Sequence, residues 1–87
     1  MKTFYWSKAP SGDLWLFDKP ALTPRSPIGS IYPRRRQQPA RASLYGSKPF
    51  WFEAHNAGVA RRQFERLLDI RSLGLFGDDD IQFIMED

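Results

Sequence analysis

Residues 50–72, FWFEAHNAGVARRQFERLLDIRS, decide the fold class, because the spacing of apolar side chains changes period within them. Phe50-Trp51-Phe52 is the most apolar triplet of the chain and reads as strand or core. From Asn56, whose short amide can cap a helix, Val59, Ala60, Phe64, Leu67 and Leu68 recur at helical spacing. Arg61, Arg62, Glu65, Arg66 and Asp69 take the other face. The spacing predicts a helix from Asn56 to about Ser72, with Gly74 placed as its C-terminal cap.

Upstream, Thr3 to Lys8 alternates, with Phe4 and Trp6 on one face and Tyr5 and Ser7 on the other, as a half-buried strand does. Ala9-Pro10-Ser11-Gly12-Asp13 is turn chemistry, and Leu14 to Asp18 reads as the partner strand of a hairpin. Residues 19–49 hold six of the seven prolines, which forbids a long helix or a central strand there. Short strands at Ile28–Tyr32 and Ala42–Tyr45 are expected at a sheet edge, and 33–41 between them as a mobile basic loop. Ile81 to Met85 has strand character and is expected to complete the sheet from an edge. With 87 residues there is one domain, 1–87. The expected fold is α+β: a small antiparallel β-sheet packed against one amphipathic α-helix, with a Pro/Arg-rich loop. Its expected core is Phe4, Trp6, Leu14, Leu16, Phe50, Phe52, Val59, Phe64, Leu67, Leu68, Ile81 and Phe83.

Charge is unevenly distributed. The net charge is +3, yet all 13 Lys and Arg lie before residue 78, while Asp78, Asp79, Asp80, Glu86 and Asp87 close the chain without a base. Between Lys19 and Phe52 there is no carboxylate. The absence of Cys excludes disulfides, thiolate metal sites and thiol catalysis. No apolar run is long enough to span a bilayer and no signal-type stretch follows Met1-Lys2-Thr3, so the expected location is cytoplasmic.

No catalytic signature emerges. Glu53 and His55, two apart, can share a strand face as an acid–base pair, but no nucleophile motif accompanies them, and a strand-to-helix junction explains both. The Asp78, Asp79, Asp80 run lacks the alternating ligands of a calcium loop and reads as a solvated turn or an acidic docking element, with no metal or other cofactor expected. The expected partner-binding residues are Arg34, Arg35, Arg36 and Arg41 in the loop and Arg61, Arg62 and Arg66 on the helix. Such arginines fit an acidic protein surface through bidentate pairing. They equally fit phosphates, with Tyr32, Tyr45 and Trp51 adding stacking.

Asp13-Leu14-Trp15-Leu16-Phe17, Gly29-Ser30-Ile31-Tyr32 and Phe50-Trp51-Phe52, followed by one amphipathic helix, resemble the small orphan proteins of bacteriophages and other mobile elements. The anti-CRISPR inhibitors are among these. That resemblance implies a non-enzymatic inhibitor that docks on a host protein or nucleoprotein complex such as a CRISPR effector. A nucleic-acid-binding module using the Arg-rich loop is the alternative, and an assembly protein is a third class.

Overall fold

The computed structural model describes residues 2–75 and 81–86, with side chains at 2–69 and 81–86. Six strands form one sheet: β1 (Lys2–Lys8), β2 (Leu14–Phe17), β3 (Gly29–Tyr32), β4 (Ala40–Leu44), β5 (Phe50–Ala54) and β6 (Ile81–Glu86). Their spatial order is β5-β4-β3-β2-β1-β6. The first five run as an antiparallel meander, and β6 joins β1 in parallel, so the sheet is mixed rather than purely antiparallel.

The parallel strand follows from the helix. α1 (Ala57–Leu75) leaves β5 at one edge and must deliver the chain to the opposite edge. Five interstrand steps of about 4.8 Å span about 24 Å, and 19 helical residues at about 1.5 Å each reach about 28 Å. The helix accordingly continues through Gly74, which does not cap it. At its start, Asn56 Oδ1 accepts the Val59 backbone N–H at 2.9 Å, the expected cap.

β3 and β4 are interior strands and not the edges expected from their prolines. Pro27, Pro33, Pro39 and Pro49 all fall outside the strands, so the interior ladders keep their N–H donors. The connection between β3 and β4 is a hairpin extension in which Arg35 and Gln38 exchange backbone hydrogen bonds.

Strand parity sends Phe4, Trp6, Leu14, Leu16, Ile31, Ala40 and Ala42 toward α1, where all are buried. The helix answers with Ala60, Phe64 and Leu68. Phe64 is fully buried, its ring 5.6 Å from both Trp6 and Phe50. It lies over Gly29, where a Cβ would come within 2.9 Å of Phe64 Cζ. Trp6 Nε1 donates to Glu65 Oε1 at 2.8 Å, which satisfies the buried indole. Of the other expected core members, Phe50, Phe52, Ile81 and Phe83 are half-buried and pack against this cluster, whereas Val59 and Leu67 lie outside it, Leu67 40% exposed. The buried stripe of α1 is narrower than the apolar stripe of its sequence, and Leu67 falls beside it.

Candidate functional site

Every strand buries one face under the helix, so the opposite parity defines an open face. The registers place Tyr5, Trp15, Phe17, Tyr32, Arg41, Trp51, Glu53, Ile84 and Glu86 there. Tyr45, just beyond β4, joins them: its hydroxyl lies 2.6 Å from Ser30 Oγ. The β2 to β5 half of this face carries a row of rings. Trp15 meets Tyr32 edge-on at 6.2 Å, Tyr45 follows over β3 and β4, and Trp51 on β5 is 58% exposed.

Arg41 stands directly opposite Glu53 in the β4–β5 register. Its guanidinium nevertheless lies over the Trp51 ring, 4.3 Å from the centroid. The Tyr45 phenol is held above the ordinary tyrosine range, foremost because its hydroxyl end is desolvated. The neighbouring Tyr32 hydroxyl adds to the rise, and the Ser30 hydrogen bond opposes it. Tyr45 therefore presents a neutral ring at physiological pH.

The other half of the face is covered by the β2–β3 connection. Arg25 places its guanidinium 3.8 Å over the Phe17 ring and donates to Glu86 Oε1 at 2.8 Å. Phe17 is on β2 and Glu86 on β6, so this side chain bridges across β1 between them. Glu86 also accepts the Ala21 N–H, and Arg25 donates to the Lys19 carbonyl, which ties residues 19–25 down as a strap. Nothing in the sequence paired Arg25 with Glu86. Their 61-residue separation leaves no local signal, although strand parity alone separates Trp15 and Phe17 from Leu14 and Leu16.

The expected arginines divide into distinct roles. Arg34 donates to His55 Nδ1 at 2.8 Å and to its carbonyl at 3.3 Å. Because a guanidinium only donates, Nδ1 is the acceptor and the ring proton sits on Nε2. His55 is thus engaged by Arg34 and not by Glu53. Arg35 pairs with Asp13 at 3.2 Å. These three bonds anchor the hairpin to both neighbouring loops and leave Arg36 exposed without a partner among the described residues. Clefts of about 490 and 410 Å³ lie at the hairpin, and Arg35 and Glu53 line both.

Arg61, Arg62 and Arg66 ride on α1, across the sheet from Arg41, so the structure does not gather the seven expected arginines into one patch. Asp78, Asp79 and Asp80 lie outside the described residues. No described helix is long and apolar enough to cross a membrane. No family model matches this chain, and neither a curated protein nor a solved structure matches it.

Proposed function

We propose that this chain is a non-enzymatic binding protein that takes a single-stranded nucleic acid across the open face of its sheet. One observation carries the reading: Tyr32, Tyr45 and Trp51, scattered in sequence, share one face with Arg41, and the Arg34–Arg36 hairpin flanks it. Single strands are bound by this combination, with bases stacking on exposed rings while cations follow the backbone. Trp51 would accept a base on its exposed surface, with Arg41 supplying charge to the adjacent phosphate. Tyr45 and Tyr32 would continue the platform toward β2, and Arg36 would meet the strand where it leaves the sheet.

Of the two partner classes expected from sequence, this face favours nucleic acid. Docking on a host complex, as anti-CRISPR-type inhibitors do, would draw chiefly on the hairpin, where Arg34 and Arg35 already have intramolecular partners. The test is fluorescence anisotropy of a labelled oligothymidylate and an oligouridylate of 12 nucleotides, within the roughly 4–16 nucleotides that one small single-strand-binding fold occupies. Saturable binding is expected, weakening with salt at a slope of about −0.7 per neutralised phosphate. Trp51→Ala removes a stacking ring worth about 1–3 kcal/mol, a loss of roughly 5- to 150-fold. Absence of binding at low salt, or equal affinity in Trp51→Ala, overturns the reading and returns the choice to a protein partner.

A further inference from the structure

β5 is the terminal strand of the sheet, so one side of its backbone pairs with β4 and the other meets no strand among the described residues. Beside it lies a cleft of about 550 Å³. Its lining includes Phe50 and Phe52, which point to the helix side, and Trp51 and Glu53, which point to the open face. A single cleft lined by both parities of one strand has to run along that strand's edge. The far wall is α1, through Leu67 and Arg66. Leu67 is 40% exposed although Leu68 and Phe64 beside it on α1 are buried, and Trp51 is the most exposed ring of the sheet.

We infer that this edge is a second docking site, bordering the nucleic-acid face at Trp51, for an extended peptide that adds to the sheet as a strand beside β5. Three features select that occupant. The unpaired N–H and C=O groups of an edge strand are matched only by another extended backbone. The apolar wall of Phe50, Phe52 and Leu67 takes side chains from every second position of such a strand, as its two-residue period requires. The charges at the rim then set the rest of the sequence. Arg66, with Arg62 one helical turn before it, is exposed on the helix side, and the described ion pairs involve neither. Glu53 guards the opposite side. The peptide is therefore apolar and acidic at the positions facing α1, and neutral or basic at the alternate positions facing Glu53. A helical ligand cannot satisfy the edge, and a proline-rich one lacks the donors.

The experiment is selection of a displayed random library of linear ten-residue peptides on the full chain, followed by anisotropy with synthetic copies of the enriched sequences. Enriched peptides are expected to alternate apolar and polar residues, to avoid proline, and to carry a carboxylate on the apolar side. Methylating alternate backbone nitrogens should abolish binding. Leu67→Glu, at an exposed position that leaves the core intact, should weaken it at least tenfold, and Arg66→Glu should shift enrichment toward basic residues. The uncharged change Leu67→Gln should weaken the peptide likewise and leave oligonucleotide affinity unchanged, so this inference and the proposed function fail separately. No enrichment, peptides insensitive to Leu67→Glu, or tolerance of N-methylation would each overturn it. So would light scattering that shows a dimer dissolved by Leu67→Glu, which would assign the edge to a second copy of this chain.

Discussion

Gly29→Ala is a one-methyl perturbation at the point where the helix touches the sheet most closely. Gly29 has no positive φ, so its backbone accepts alanine without strain. The obstacle is space. The added Cβ would stand 2.9 Å from Phe64 Cζ and 2.9 Å from the Ser43 carbonyl oxygen. Phe64 has no room to retreat, because Trp6 and Phe50 flank its ring and it is fully buried. Ser43 O belongs to β4, directly paired with β3. Overpacking a tight core costs about 1–3 kcal/mol. Restricting the unfolded chain by replacing glycine returns about 0.4–1 kcal/mol. The net expectation is a loss of roughly 1–2 kcal/mol, a fall in Tm of about 5–15 °C for a domain of this size. Circular dichroism melts, with urea titrations at unchanged m-value, measure it. Adding Phe64→Leu should show favourable coupling of at least about 0.5 kcal/mol, yet incomplete rescue, because the carbonyl contact remains. A Gly29→Ala protein that melts at or above the wild-type temperature refutes the packing argument.

Three further outcomes are expected. Glu86→Gln removes the charge that Arg25 contacts at 2.8 Å, with the two side chains only 18% and 13% exposed. It should cost about 1–3 kcal/mol and accelerate proteolysis within residues 19–27, and an unchanged cleavage pattern would show that the strap is held otherwise. Asn56→Ala deletes the cap of α1 and should lower stability by about 1 kcal/mol, read from the urea midpoint. Tyr45 has a folded pKa above its ordinary 10.0, so the stability it contributes is present below that value and is lost as pH rises through the raised one. Wild-type urea midpoints should therefore fall more steeply than those of Tyr45→Phe above about pH 10, and parallel curves would remove Tyr45 from the account.

Local pattern carried much of the architecture. The alternation in Thr3–Lys8 and Leu14–Phe17 and the helical spacing after Asn56 each depend on a few adjacent residues, and each is observed near its expected bounds. The edge position of Ile81–Glu86 is also observed, although its parallel pairing with β1 is a property of the crossover. Proline counting misled the reading of β3 and β4, because a proline one residue outside a strand has no effect on its ladder. The site was legible only as a list of rings and arginines. Tyr32, Tyr45 and Trp51 were named together, but nothing local states that β3, β4 and β5 are neighbours with their odd or even positions in phase.

By itself the sequence determined the α+β class, the helix with its cap, most of the core and the inventory of rings and cations. These follow from periodicity and residue chemistry, which act over a few positions. Only the tertiary structure decided which arginines are spoken for, since Arg34 meets His55, Arg35 meets Asp13 and Arg25 meets Glu86 across separations of 21, 22 and 61 residues. It alone decided that β5 is an edge and that Leu67 overlooks it. Pairing and exposure depend on strand order, and strand order is set by a 19-residue helix carrying the chain from one edge of the sheet to the other.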